Sequence, residues 1–185
     1  MMAQVLSKSA LVPHPASAAA PVRLGTKLSL VGTDVLKAEF VAIGDIGRVL
    51  IPAPAIPERR DELWRHTCFE LFFREGASGA YHEFNFAPSR HWAAYRFDSY
   101  REGMAPSAVT GVDIYLETDP TRFALTAWLD VRPFRGIYGK HVSLTAVIEE
   151  TDGTKSYWAL AHPPGKPDFH DPACFVLELP AAGTA

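Results

Sequence analysis

Apolar side chains recur at every second position through residues 63–101, the most strongly patterned stretch of this 185-residue chain. The positions that this pattern turns toward a core are Phe69, Leu71 and Phe73, then His82, Phe84 and Phe86, then Ala93, Tyr95 and Phe97. Period-two alternation rich in aromatic residues is typical of β-strands with one face in a core. The opposite face includes Glu70, Glu83, Asn85 and Arg96, an unusual set for a surface that only meets water.

The register of the first two strands follows from the same pattern. Residues 75–78 (EGAS) before Gly79 predict a turn, so the flanking strands should form a hairpin. A one-residue slip would move one apolar set to the wrong face. The register that avoids this slip puts Glu70 opposite or diagonal to Glu83, beside Tyr81 and Asn85. Because facing like charges are destabilising, we expect a basic side chain, a shared proton, a metal ion or a ligand hydroxyl to offset them.

The rest of the chain predicts more short strands separated by turn signals. These strands are Val22–Val31, Val35–Ile43, Arg48–Ile51, Val112–Glu117, Phe123–Val131, Val142–Glu149, Ser156–Ala161 and Phe175–Leu179. Residues 1–20 should be irregular, although LVP at 11–13 could form a short edge strand, and the Pro-rich residues 52–63 should be a loop. We therefore predict one all-β domain over 1–185, an antiparallel β-sandwich of jelly-roll or immunoglobulin-like type with little or no helix.

Composition and charge narrow the classes of partner. The chain is 48% hydrophobic with a net charge of −3, so it should be globular, and it lacks the basic footprint of a nucleic-acid binder. No apolar run has the length of a membrane span. Pro13, His14 and Pro15 interrupt the apolar run that a signal peptide needs, so we expect a cytoplasmic location. Cys68 and Cys174 lie far apart outside any CxxC motif and should be buried thiols.

Four aromatic and polar clusters carry the candidate chemistry. The predicted ligand-binding residues are Trp64, Arg65, Glu70, Tyr81, Glu83, Asn85, Trp92, Arg101, Trp158, His162, Lys166, Asp168 and His170. A Trp beside an Arg at a strand mouth can stack on a sugar ring or a base, and the Glu70 face can bind hydroxyl groups. Structural roles remain open for each cluster: Trp64 could cap the core, the carboxylate face could be a satisfied polar layer, and Asp168 could only brace its own loop.

Residues 158–171 (WALAHPPGKPDFHD) form the most distinctive loop of the chain. Its prolines fix backbone angles and Gly165 permits a tight turn, so the loop should be rigid. A rigid loop loses less entropy on binding. We expect this loop to reach the Glu70 and Glu83 face and to bring Lys166 or His170 to the carboxylates.

Catalysis and cofactors have only partial support in the residues. Paired carboxylates are what glycoside hydrolysis requires, whereas no GxSxG elbow is present. His162 and His170 with Asp168 or Glu83 could bind a divalent cation, although their spacing is not diagnostic. Haem would need axial ligands, for which the candidates are Met104, His91, His162 and His170. The sequence thus predicts no catalytic residue, metal or cofactor outright, and it leaves the oligomeric state open.

Five co-linear motifs then carry a family resemblance: LWRHTCFELF, YHEFNFAPS, HWAAYRFDSYREGM, SYWALAHP and GKPDFH. From LVPHP onward the chain resembles the bacterial DOMON-like proteins, which are related to the family 9 carbohydrate-binding modules. The resemblance implies a β-sandwich in a superfamily whose characterised members bind sugars, through paired Trp residues and polar side chains, or haem, through Met with His or Lys. The four Trp residues here are Trp64, Trp92, Trp128 and Trp158.

Together these features predict a non-catalytic domain that binds a carbohydrate or another small polar ligand. Trp64, Trp92 or Trp158 would stack on the ligand, and the carboxylate face would bind its hydroxyls. Two alternatives stay open from the sequence: a haem-binding electron-transfer domain, and a small carboxylate- or metal-dependent hydrolase or lyase.

Overall fold

Two antiparallel sheets make up the structure, a computed structural model that describes residues 3–74, 79–134 and 136–180. The first sheet has the order β1 (Ala3–Ala10), β3 (Val22–Val31), β4 (Val35–Gly44), β10 (Arg122–Asp130) and β9 (Asp113–Thr118). The second has the order β2 (Val12–Pro13), β12 (Lys155–Ala159), β11 (His141–Glu149), β5 (Cys68–Arg74), β6 (Tyr81–Phe86), β7 (Trp92–Phe97) and β8 (Ala105–Pro106), while β13 (Leu177–Glu178) also pairs with β11. The helical segments are short 3-10 turns at Ile46–Arg48, Leu63–Arg65, Arg132–Phe134 and Pro172–Cys174. The predicted all-β sandwich is confirmed.

The core lies between the two sheets and is rich in aromatic rings. Phe40 of the first sheet packs against Phe69 of the second with ring centroids 5.2 Å apart, and Phe69 stacks on Phe123 at 5.8 Å. The predicted hairpin register is also confirmed, because Phe69 pairs with Phe86 and Leu71 with Phe84. Burial of these rings is the main source of stability for such a sandwich.

Most predicted strands are present within a few residues of their expected ends. β3 and β4 flank residues 32–34, where Gly32 has a φ of 64°. β11 and β12 flank residues 150–154, where Gly153 has a φ of 88° and completes the predicted Asp-Gly turn. The edge strand at Val12–Pro13 is confirmed as β2. The turn predicted at 75–78 lies outside the described residues.

Three expectations about the strands are wrong. Residues 3–10 are not irregular, because they form β1, an edge strand that pairs with β3. This strand is polar and half-exposed, so backbone pairing holds it rather than an apolar face that a pattern would reveal. Arg48–Ile51 is not a strand; Val49 makes a single bridge to Glu150. The third strand of the patterned stretch faces the other way, with Trp92 and Ala94 in the core.

The second sheet is covered on both of its faces. Its outer face carries a second apolar cluster that includes Phe72, Tyr81, Phe97, Phe169 and Phe175. The chain after β12 therefore folds back over the outer face of β5, β6 and β7. Cys68 and Cys174 are both buried free thiols, as predicted. No helix among the described residues is long and apolar enough to cross a membrane.

Candidate ligand-binding cleft

The covering segments leave a cleft of about 1230 Å³ on the outer face of the second sheet. Its floor includes Glu70 and Glu83, and its walls come from residues 59–66, residues 104–106, the exposed side of β12 and residues 167–170. Aromatic rings and charged groups alternate around it. A large concave site with converging polar groups is the usual form of a small-ligand site.

Strand pairing explains how the polar groups reach the floor. Asn85 is directly opposite Glu70, Thr145 pairs with Glu70 on the other side, and Glu83 pairs with Phe72 and Tyr95. Glu70 and Glu83 are thus diagonal neighbours on one face, in agreement with the register argument. An amide, rather than a second carboxylate, stands directly across from Glu70, which avoids the most repulsive pairing.

The two carboxylates are almost completely buried, with 2% of Glu70 and 5% of Glu83 exposed. Thr145 Oγ1 donates to Glu70 Oε2 at 2.8 Å, and Asn85 Nδ2 donates to Glu83 Oε1 at 2.8 Å. Burial, reinforced by repulsion from Glu83, raises the pKa of Glu70 to about 8. Burial also raises the pKa of Glu83 to about 7, against the opposing influence of Asn85 and Arg101. The pair is therefore partly protonated near neutral pH, and its total negative charge is less than two.

His170 reaches the floor from the rigid loop. Its Nδ1 lies 2.7 Å from the Tyr81 hydroxyl, which in turn accepts the backbone N–H of Arg101 at 3.2 Å. Burial raises the pKa of Tyr81 to about 12, so the hydroxyl stays protonated. Because its oxygen already accepts from the Arg101 N–H, we assign the hydroxyl as the hydrogen-bond donor to Nδ1. Burial, assisted by Arg101, lowers the pKa of His170 to about 4. The neutral ring thus carries its proton on Nε2, which lies 3.8 Å from Glu83 Oε2.

Asp168 ties the same loop to the strand end beyond β7. Arg101 Nη2 donates to Asp168 Oδ1 at 2.8 Å, and the Tyr100 hydroxyl donates to Oδ2. Arg101 itself has a left-handed φ of 57°, which turns the chain toward the loop. Although burial opposes the shift, the hydrogen bonds from Tyr100 and Arg101 lower the pKa of Asp168. The loop therefore reaches the carboxylate pair as expected, but it contributes a neutral His170, while Lys166 stays exposed outside the cleft.

Trp64 forms part of the wall and leaves 49% of its surface exposed. It sits in the 3-10 turn Leu63–Arg65, and the Arg65 guanidinium lies over its ring at 5.4 Å. Tyr95 also lines the cleft and donates its hydroxyl to Asp61 Oδ1 at 2.8 Å. These contacts hold aromatic rings around the opening while Trp64 keeps free area for a ligand.

The structure brings together only part of the predicted ligand set. Six of those residues line the cleft: Trp64, Arg65, Glu70, Glu83, Arg101 and His170. Tyr81, Asn85 and Asp168 do not line the cleft. They form hydrogen bonds with the lining residues His170, Glu83 and Arg101, respectively. Three others lie elsewhere: Trp92 and Trp158 pack between the sheets, and His162 contacts the carbonyl of Val12 at 2.9 Å.

Strand parity explains why Trp92 and Trp158 lie in the core and not in the cleft. Trp158 pairs with the core residue Ala146, so its neighbour Tyr157 must face the cleft. In the same way Tyr95, rather than Trp92, lies on the face of Glu83. Strand parity, once anchored on the core-facing Trp, would have identified both Tyr residues. Arg59, Asp61 and His66 come from a non-periodic loop that carried no comparable signal.

The candidate ligands for a metal or a haem group are not gathered into one cluster among the described residues. Among the described residues, no three His, Cys, Asp or Glu side chains are placed to hold a metal ion. Met104 and His170 both line the cleft, but the two ring nitrogens of His170 face Tyr81 and Glu83, so neither is directed at an open axial position. His170 therefore does not fit as an axial ligand of a haem iron.

Comparisons with known proteins identify the fold. No protein-family model matches the chain, and no curated protein matches it. A candidate carbohydrate-binding protein from Bacteroides uniformis is 13% identical, with 94% of this chain and 84% of that chain covered at a TM-score of 0.60. A family 9 carbohydrate-binding module from Caldicellulosiruptor kristjanssonii in complex with cellotriose is 12% identical, with 86% and 75% covered at a TM-score of 0.50. At these identities the likeness shows a shared β-sandwich fold.

Proposed function

We propose that this protein is a non-catalytic binding domain that takes a carbohydrate in the cleft. The observation that carries the proposal is the meeting of an exposed Trp64 wall with the Glu70 and Glu83 floor in one concave site. A sugar ring has an apolar C–H face that an indole can cover and hydroxyl groups that carboxylates can accept. A concave site that combines aromatic rings with polar groups at fixed positions suits such a ligand.

The support around the cleft favours binding in a preformed site. Asp168 joins the rigid loop to Arg101, and Tyr81 joins the same loop to the floor through His170. Groups held in this way lose little entropy when a ligand arrives. The shared fold with the neighbouring carbohydrate-binding structures is consistent with the proposal.

Sugar titrations test the proposal directly. Cellotriose and a broad glycan panel should be titrated by calorimetry and by intrinsic fluorescence, to which Trp64 contributes as a half-exposed indole. Trp64→Ala should weaken binding of any positive glycan by about tenfold or more. Trp128→Ala is the matched control, because Trp128 lies on the other sheet beside Lys37. If no glycan of the panel binds in either titration, the proposal is ruled out.

A second candidate function rests on the raised pKa values of Glu70 and Glu83. Two carboxyls at the floor of a cleft, one of them protonated near neutral pH, have the chemistry that glycosidic bond hydrolysis uses. Product analysis after incubation with cellotriose and with aryl glycosides decides between the functions. Hydrolysis that Glu83→Gln abolishes would establish an enzyme, whereas binding without turnover supports the binding domain.

A further inference from the structure

The Arg and Lys side chains that line the cleft form ion pairs with carboxylates other than Glu70 and Glu83. Among the described lining residues, Arg59, Arg65, Arg101 and Lys155 each lie within 3.6 Å of a carboxylate other than Glu70 and Glu83. In the part of the chain that the structure describes, His170 is the basic ring that lies against the floor, and it is neutral. The floor therefore lacks a counter-charge held in an ion pair.

The floor offers more hydrogen-bond acceptors than donors. Thr145 donates a hydrogen bond to Glu70, and Asn85 donates one to Glu83. The Oδ1 atom of Asn85 is fully buried and has no hydrogen-bond partner among the described residues. Because Asn85 Nδ2 must face Glu83 to donate, Oδ1 is fixed as an acceptor on the face that Glu70 shares. A buried acceptor without a donor is costly, so the layer directly beneath the cleft is short of donors.

Resting on the proposed carbohydrate-binding function, we propose that the cleft selects a sugar with a primary ammonium group, which lies over Glu70 and Glu83. An ammonium has three donors and no acceptor, whereas a hydroxyl brings one donor and an acceptor. Its charge also stabilises the ionised forms of Glu70 and Glu83, which lack an ion-pair partner and otherwise retain protons near neutral pH. The rings of Tyr95, Tyr157 and Phe169 line the same cleft and can face a cation as well as a sugar ring.

A metal ion is a poorer complement to the same floor. A hard cation needs six or more oxygen ligands, and the described residues offer no cluster of three candidate side chains. The raised pKa values of the two carboxyls agree with a site that lacks a cation until a ligand brings one.

Three trisaccharides of one linkage separate charge from shape. These are cellotriose, the glucosamine trisaccharide and its N-acetylated form, in which the amine becomes a neutral amide. Calorimetry at about pH 7 and low salt should show the glucosamine trisaccharide binding at least about tenfold tighter than either neutral sugar. Glu83→Gln and Glu70→Gln should erase this preference. Glu117→Gln, an exposed exchange on β9, should retain it.

Each outcome decides one claim. Equal affinity for the three sugars would overturn the ammonium site and leave the carbohydrate-binding function standing. No binding of these or of other glycans would overturn both. If the Glu variants fail to fold, the salt dependence of binding to the unmodified protein provides the test. The preference for the glucosamine trisaccharide should fall steeply as ionic strength rises from about 0.01 to about 1 M, because salt screens the attraction between charges. A preference that is insensitive to salt overturns the ammonium site.

Discussion

The Tyr81 hydroxyl and Nδ1 of His170 lie 2.7 Å apart, and this hydrogen bond decides which ring nitrogen faces Glu83. The hydroxyl is itself anchored by the backbone N–H of Arg101. Three separate segments, β6, the turn after β7 and the rigid loop, therefore meet at one oxygen atom. The floor of the cleft has a defined donor, the Nε2–H of His170, only because this contact exists.

Tyr81→Phe should remove the hydrogen bond that holds Nδ1 of the His170 ring. The change leaves Nδ1 of His170 and the N–H of Arg101 without a partner, so the free energy of unfolding should fall by about 1–3 kcal/mol. Denaturant unfolding measures this loss, and nitrogen NMR should detect the altered tautomer. Tyr115→Phe, at an exposed position of the first sheet, should change neither. An unchanged tautomer in Tyr81→Phe would contradict the assignment.

Stability should fall as pH rises from about 6.5 to about 8. A carboxyl whose folded-state pKa is raised favours folding while it holds its proton and disfavours folding once it loses it. The unfolded carboxyls are already ionised in this window, whereas Glu70 and Glu83 still release protons, with pKa values of about 8 and about 7. His170, with its lowered pKa, is neutral in the folded state throughout this window.

Glu70→Gln isolates this contribution. The change removes one buried acid and its repulsion of Glu83, so the stability curve should be flatter above about pH 6.5 and higher by about 1–3 kcal/mol near pH 8. The other titratable or charged groups around the pair are Cys68, Tyr81, Tyr95, Arg101, Asp168 and His170, and they are the same in both proteins. Thermal unfolding over a pH series measures the difference. Parallel curves for the two proteins would show that Glu70 is ionised throughout.

Trp64 and Trp158 should respond in opposite ways to truncation. Trp158 is 4% exposed and packs in the core, so Trp158→Ala should lower the free energy of unfolding by about 3–5 kcal/mol. Trp64 is half-exposed at the cleft, so Trp64→Ala should cost less than about 1 kcal/mol of stability and act on ligand binding instead. Paired unfolding and calorimetric titrations test both parts. A large stability loss for Trp64→Ala would assign that ring to the core.

Asp168→Asn should loosen the rigid loop more than it unfolds the protein. Arg101, the ion-pair partner of Asp168, is half-exposed, so the ion pair contributes less than about 1 kcal/mol to stability. Ligand affinity should still fall several-fold, because the loop that carries His170 would have to be ordered on binding. Calorimetry and unfolding on the same variant separate the two effects. Asp130→Asn breaks another surface ion pair, with Arg132, and should leave affinity unchanged.

The sequence by itself determined the strands and one critical register. Period-two alternation places Phe69, Leu71 and Phe84 on one face, and this alone brings Glu70 and Glu83 together on the other. Turn residues such as Gly32 and Gly153 marked the hairpins because positive φ angles suit glycine. These features follow from local backbone geometry, which neighbouring residues in the chain can specify.

Only the tertiary structure decided what covers each face. A period-two pattern assigns residues to the same side of a strand, but it does not say whether that side meets another sheet, a loop or solvent. For this reason Trp92 and Trp158 were expected at the ligand and lie in the core, while Tyr95 and Tyr157 line the cleft. The cleft itself depends on contacts such as Arg101 with Asp168, which are 67 positions apart. Such contacts arise from long-range packing, on which a local pattern carries no information.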